Sequence, residues 1–137
     1  MKNNNKYKIM LLNMNSMLNH IHKYSIENAH PEYDVIMFDN GFSGLEYIQK
    51  HHNDIKLVAT DIELKGMDGN KLVDIINSNF EISTVGFITK HNEINISTKY
   101  DFYRHLPISV SGMANLIDIH IKKRHYLNKL FNPKKYL

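Results

Sequence analysis

The sequence predicts an α/β domain built on a doubly wound, five-stranded parallel sheet, and three observations support this fold class. The chain has 137 residues with 42% hydrophobic content, which suits one domain with a sizeable core. Five short apolar runs alternate with stretches in which apolar residues recur at helical spacing. Most of these runs are apolar on both faces, as in parallel strands that helices cover on both sides.

The five apolar runs are the predicted strands, and the helical stretches between them predict right-handed crossovers. The runs span residues 8–12, 34–38, 56–60, 84–89 and 101–106. We expect helices on both faces of the sheet, and one strand order that such sheets adopt is 2-1-3-4-5. In that order the first and third strands are neighbours.

Four helices are predicted from apolar side chains that repeat every three or four residues, and we expect these side chains to face the core. They are Met17, Leu18, Ile21 and Tyr24; then Leu45 and Ile48; then Leu72, Val73 and Ile76; then Met113, Leu116, Ile117 and Ile121. Residues 90–100, "KHNEINISTKY", are rich in Asn, Ser, Thr and β-branched residues, which favour helix weakly. A helix between the fourth and fifth strands is therefore expected to be shortened or irregular.

Charge and composition exclude several classes of protein. Residues 2–8 and 122–137 hold nine of the seventeen Lys and Arg residues and none of the fourteen Asp and Glu residues, so an acidic body carries basic ends. The absence of cysteine excludes thiol catalysis and disulfides. No apolar run approaches the ~20 residues of a membrane span, and the first residues lack a secretory signal, so we expect a cytoplasmic protein without a membrane partner.

The candidate site lies where two neighbouring strands end. Asn13 follows the first predicted strand and Asp61 follows the third. In open α/β sheets, ligands bind at the carboxyl ends of the strands, where the strand order reverses. We therefore expect Asn13 and Asp61 to face the same crevice.

Several motifs in chain order carry a resemblance to a known family. The segment 61–69, "DIELKGMDG", is followed by Thr89 at a strand end, Tyr103 in the last strand and Leu106 before a proline, and Asn40 with Gly41 opens the second helix. In these motifs the chain resembles the CheY-like receiver domains of bacterial response regulators, over residues 8–127. The resemblance implies the flavodoxin-like and CheY-like fold with the strand order 2-1-3-4-5, and a role in two-component phosphorelay signalling rather than enzymatic activity. It also implies Asp61 as phosphoacceptor, and Thr89 and Tyr103 as switch residues.

The departures from the receiver pattern predict an atypical member. Receivers hold Mg²⁺ with two acidic residues after the first strand, where this chain has Asn13 and Met14, and they place a lysine where this chain has Leu106. An amide and a thioether are poor Mg²⁺ ligands, and leucine has no hydrogen-bond donor. We expect no dedicated cofactor, weak Mg²⁺ binding, and weak or no phosphorylation.

Three charged residues are candidates to replace what is missing. Glu63 lies two residues beyond Asp61, so in an extended chain both side chains point the same way, and Glu63 is a candidate substitute metal ligand. Lys65 and Lys90 are candidate cations for the pocket. The alternative is that both lysines point to solvent, as most lysines do.

These residues leave three functional hypotheses. We favour a pseudo-receiver that acts through protein–protein interaction. The alternative is a functional receiver that a histidine kinase phosphorylates on Asp61. A small Mg²⁺-dependent hydrolase with Asp61 as nucleophile is the third, and it is disfavoured because it needs acidic ligands that the sequence lacks.

The whole chain, 1–137, is predicted to be one receiver-like domain, with a body over 7–121 and a basic extension of the last helix over 122–137. Ile119, Tyr126 and Leu130 form a second apolar stripe along the last helix, which indicates a protein partner or a homodimer through this helix. The expected partner is a histidine kinase or a downstream signalling protein. Nucleic acid is not expected, because no helix-turn-helix fits in the remaining residues.

Overall fold

The computed structural model describes residues 6–93, 95–121 and 130. Five parallel strands form one sheet in the order β2-β1-β3-β4-β5, which confirms the predicted fold class and strand order. The strands are β1 (Tyr7–Leu12), β2 (Tyr33–Phe38), β3 (Ile55–Thr60), β4 (Ser83–Ile88) and β5 (Phe102–His105). Each lies within about two residues of its predicted bounds.

Among residues 6–93 and 95–121, four helices connect and flank the strands, and each follows a polar capping residue. They are α1 (Ser16–Ala29), α2 (Gly41–His51), α3 (Gly69–Asn79) and α4 (Val110–Leu116), with a π-helical turn at Ile117–Ile121 and a 3-10 turn at His52–Asp54. The side chains that accept hydrogen bonds from the first turns are Asn15, Asn40, Asp68 and Ser109. These caps satisfy N–H groups that a helix start otherwise leaves unpaired.

The core is divided by the sheet into two layers. One layer joins the strands to α1 and α4 and contains Met113, Leu116 and Ile117, with Ile121 at its border. The other joins them to α2 and α3 and contains Ile48, Leu72 and Ile76, with Leu45 at its border. Val73 is also buried. The predicted core faces of α2, α3 and α4 are therefore confirmed.

The predicted core face of α1 is wrong. Met17 and Tyr24 are 73% and 72% exposed, and Ile21 is exposed as well. The face that packs on the sheet instead consists of Asn19, His22, Ser25 and Ile26. Polar side chains are stable in a core when they are hydrogen-bonded. Two of these are: Asn19 Nδ2 donates to the carbonyl oxygens of Asn13 and Phe38, and the Ser25 hydroxyl donates to that of Ile21.

Residues 89–101, which we call the strap, cross from β4 to β5 without a helix in their described part. Turns replace the helix, which confirms the expectation of an irregular segment. Asn70 Nδ2 donates to the Asn95 carbonyl at 2.7 Å, and Asn77 Nδ2 donates to the Lys99 carbonyl at 2.7 Å. Asp74 lies between these two on the same face of α3 and pairs with the Lys99 ammonium at 3.4 Å. One polar face of α3 thus holds the strap.

None of the helices in the described part of the chain is long and apolar enough to cross a lipid bilayer. Ile119 and Leu130 are exposed, as the predicted second stripe requires. Tyr126 and the rest of the predicted basic extension, apart from Leu130, lie outside the described residues.

Candidate functional site

The site forms at the carboxyl edge of the sheet, where β1 stands between β2 and β3. The Asp61 N–H donates to the Leu12 carbonyl at 2.9 Å, and the Asn13 N–H donates to the Phe38 carbonyl at 3.1 Å. These two bonds continue the sheet by one residue on each side of β1. Asp61 and Asn13 therefore follow adjacent strands.

The Asp61 carboxylate is bound by amides. Oδ1 accepts from the Ile62 N–H at 2.8 Å and from Asn92 Nδ2 at 3.0 Å. Burial raises the pKa of Asp61, and the nearby charge of Glu63 raises it further, while the N–H groups of Ile62 and Glu63 and the Asn92 amide oppose the shift. None of the ion pairs in the described part of the chain includes Asp61.

The donor set at this edge does not fit Mg²⁺. Asn13 is buried, and its Oδ1 accepts from the Asn15 N–H at 2.8 Å, so this oxygen belongs to the local turn. Met14 is exposed and offers only a thioether. Glu63 is exposed in the loop beyond Asp61. Among residues 6–93, 95–121 and 130, no three acidic, histidine or cysteine side chains are grouped so that they could hold a metal ion.

The two candidate lysines do not supply a cation to Asp61. Lys65 Nζ lies 3.0 Å from Asp39 Oδ2. The Lys65 backbone is also fixed on that side, because its N–H donates to the Asp39 carbonyl and its carbonyl accepts from the Gly41 N–H. Lys90 is exposed. Asp61 therefore has neutral hydrogen-bond donors where the sequence analysis considered an ammonium.

Solved structures with this architecture decide the fold. The chain matches a response regulator receiver domain protein from Clostridium thermocellum with a TM-score of 0.76 at 17% identity, covering 88% of this chain and 98% of that one. The chain has the CheY-like receiver fold. A CheY-like receiver domain protein from Methanospirillum hungatei matches with a TM-score of 0.73 at 16% identity, over 89% and 98% of the two chains.

A third receiver domain, from a Francisella response regulator, matches with a TM-score of 0.71 at 18% identity, over 87% of this chain and 99% of that one. At these identities the likeness is one of fold. No family model and no curated protein matches the sequence.

Three further positions that the receiver pattern marks have local contacts in this receiver fold. The Thr89 N–H donates to Asn92 Oδ1 at 2.8 Å. The Tyr103 hydroxyl donates to the Ser97 carbonyl at 2.6 Å, which directs it into the strap. Leu106 packs on the core layer of α1 and α4, and its N–H extends the pairing with β4 by donating to the Ile88 carbonyl at 2.9 Å.

Two residues that line the site, Asn92 and Tyr100, were not predicted from the sequence. Asn92 is 3% exposed and contacts Asp61 directly, and Tyr100 is 4% exposed. The Tyr100 hydroxyl finds no hydrogen-bond partner within the described part of the chain. It lies 3.0 Å from the point where a Cβ on Gly69 would stand, and the Asp61 carbonyl oxygen borders the same point. The only signal in the sequence was one aromatic residue, Tyr100, at the end of a mostly polar segment.

Proposed function

We propose that this protein is a pseudo-receiver of two-component signalling, which binds a protein partner and undergoes weak or no Mg²⁺-dependent phosphorylation. The partner is a histidine kinase or a downstream signalling protein, and the site of action is cytoplasmic. The proposal treats the chain as a single receiver-like domain.

The observation that carries this proposal is the set of groups around Asp61. Receiver chemistry transfers a phosphoryl group to an aspartate, and that transfer depends on positioning and on cations that neutralise the developing charge. Here the Asp61 carboxylate accepts hydrogen bonds from Ile62 and Asn92, which are both neutral. The positions that would supply metal ligands hold Asn13 and Met14. The fold supports a receiver origin, and the site supports a loss of the reaction.

Intact mass measurement tests the proposal directly. The protein is incubated with Mg²⁺ and acetyl phosphate, and the fraction that carries one added phosphoryl group is measured. We expect little or no adduct. A near-stoichiometric adduct that disappears in Asp61→Ala would overturn the pseudo-receiver and select the alternative, a functional receiver. The position of Asp61 at the end of β3 in a receiver fold favours that alternative.

A second experiment restores the missing acids and lysine, and so tests whether their absence, rather than poor access of the phosphodonor to Asp61, prevents phosphorylation. Asn13→Asp with Met14→Asp and Leu106→Lys returns two acids and one lysine to the edge of the sheet, and we expect the adduct to form in this variant. Asn15→Asp is the matched control, because it adds an acid to the same loop at the helix cap, where Asp and Asn serve equally well. Asn15→Asp is expected to leave the adduct at the level of the unaltered protein.

A further inference from the structure

The strap reaches the site through Asn92, whose side chain uses both of its ends. Nδ2 donates to Asp61 Oδ1 at 3.0 Å, and Oδ1 accepts from the Thr89 N–H at 2.8 Å. The Asn92 backbone closes the same turn, because its N–H donates to the Thr89 carbonyl at 3.3 Å and its carbonyl accepts from the Asn95 N–H at 3.0 Å. One buried amide thus connects Asp61 to the beginning of the strap.

The far end of the strap returns to the same site. The Tyr100 ring covers β4 at Gly86, where a Cβ would meet two ring carbons at 2.9 Å, and its hydroxyl ends beside Gly69 and the Asp61 carbonyl. This seating leaves the Tyr100 hydroxyl without a partner in the described part of the chain. Both ends of the strap therefore contact the site, Asn92 through Asp61 Oδ1 and Tyr100 beside Gly69.

We propose that Asn92 is a positioning residue that holds the strap closed on Asp61, so that the group occupying Asp61 Oδ1 determines whether the strap opens. The inference rests on the proposed function, because a binding protein without phosphoryl transfer needs a contact, rather than a reaction, to change its surface. A donor from a partner protein that replaces the Asn92 amide at Oδ1 would release Asn92. The strap would then separate from α3 and expose new surface.

Hydrogen exchange of the strap amides in the full chain, without any phosphodonor, tests this inference. We expect Asn92→Ala and Asp61→Ala each to lower the protection of residues 95–100 by about tenfold or more, because each removes a hydrogen bond to a charged group. The double variant is expected to lose no more protection than Asn92→Ala alone, because Asn92→Ala already removes the contact with the strap that Asp61→Ala breaks. Asn77→Ala is the control. It removes the bond to the Lys99 carbonyl, and its effect should add to that of Asp61→Ala.

A pH readout distinguishes this role from a purely structural one. Asn92→Asp places a second carboxylate beside Asp61, which also interacts electrostatically with Glu63 and Tyr100. Tyr100 in turn interacts with Asp68 and Asp74. Two adjacent carboxylates share a proton in acid and repel each other when both are charged. Strap protection in Asn92→Asp should therefore be low at neutral pH and recover in acid. Adding Asp61→Asn should restore it at neutral pH.

Two results would overturn the inference: equal losses in Asn92→Asp at both pH values, or additive losses in the Asp61 and Asn92 double variant. Neither depends on whether the protein accepts a phosphoryl group. The mass experiment and the exchange experiment can therefore fail separately.

Discussion

The rings of Tyr100 and Tyr103 meet edge to face with their centroids 5.8 Å apart, yet only the Tyr103 hydroxyl is hydrogen-bonded in the described part of the chain. Tyr103 donates to the strap from β5, whereas Tyr100 is buried against β4 and the start of α3. The resemblance to receivers predicts a switch role for Tyr103. The structure places the Tyr100 hydroxyl beside Gly69, next to the Asp61 carbonyl.

This difference predicts opposite effects for two conservative substitutions. Tyr100→Phe removes an unsatisfied hydroxyl, so we expect the free energy of unfolding to stay unchanged or to rise by about 1 kcal/mol. Tyr103→Phe removes the bond to the Ser97 carbonyl and should lower it by about 1 kcal/mol. Denaturant unfolding of the two variants measures both. If Tyr100→Phe lowers the free energy of unfolding as much as Tyr103→Phe does, the Tyr100 hydroxyl has a hydrogen-bond partner.

Two glycines, Gly69 and Gly86, leave room for Tyr100, and we predict that they differ in how well they tolerate substitution by alanine. A Cβ on Gly69 would collide with the Asp61 carbonyl oxygen, which belongs to the backbone and cannot move aside. A Cβ on Gly86 would meet the Tyr100 ring at 2.9 Å and the Ile96 side chain at 3.0 Å.

Overpacking of this kind costs about 1–3 kcal/mol. We expect Gly69→Ala to lower the free energy of unfolding more than Gly86→Ala does. Tyr100→Ala in the Gly86→Ala background should recover part of the packing strain, while it should recover less in the Gly69→Ala background. Thermal unfolding of the four variants compares them, and equal recovery in both backgrounds would contradict the assignment of the two clashes.

The exposed face of α1 gives a third prediction. Met17, Ile21 and Tyr24 face solvent, so Ile21→Lys should change the free energy of unfolding by less than about 0.5 kcal/mol. Ile26→Ala, one turn further along on the buried face, should lower it by about 2–5 kcal/mol. Denaturant unfolding checks the pair. A large decrease in the free energy of unfolding of Ile21→Lys would show that this apolar stripe packs in the core after all.

The error on α1 shows where periodicity stops being informative. Leu18 and Ile21 share a helical stripe with Met17 and Tyr24, but Asn19 and Ile26 form an equally regular stripe on the other side. Apolar content favours burial of the stripe that contains Met17. The stripe that contains Asn19 is buried instead, because Asn19 donates to two carbonyls at the ends of β1 and β2. These hydrogen bonds depend on the positions of the two strands in the folded sheet.

The site was predictable to a similar extent. The strands and the place of Asp61 followed from apolar runs and from polar residues at strand ends, whereas the strand order came with the resemblance to receivers. The contact between Asn92 and Asp61 joins residues 31 positions apart, and Asn92 lies in the irregular strap. Asparagine is common throughout this chain, and no periodic pattern indicates which one is buried. Likewise, the partner of Lys65 depends on a bridge between the loops after β2 and β3.

The raised pKa of Asp61 gives a prediction about pH. Burial is the main cause, so the folded state retains a proton at pH values where the unfolded chain has released it. The contribution of Asp61 to stability therefore falls as the pH rises from the ordinary carboxyl pKa of about 3.9 through the higher folded value. Asp61→Asn has no such titration, and its amide oxygen can still accept from Ile62 and Asn92.

We expect Asp61→Asn to equal the unaltered protein most closely in acid and to exceed its free energy of unfolding at neutral pH. Denaturant unfolding across this range measures the gap. Asp39→Asn is the control, since its exposed pair with Lys65 should contribute less than about 1 kcal/mol. A gap for Asp61→Asn that stays constant with pH, or that reverses sign at neutral pH, would show that the hydrogen bonds to the carboxylate outweigh its burial. In that case the charge on Asp61 would stabilise the fold.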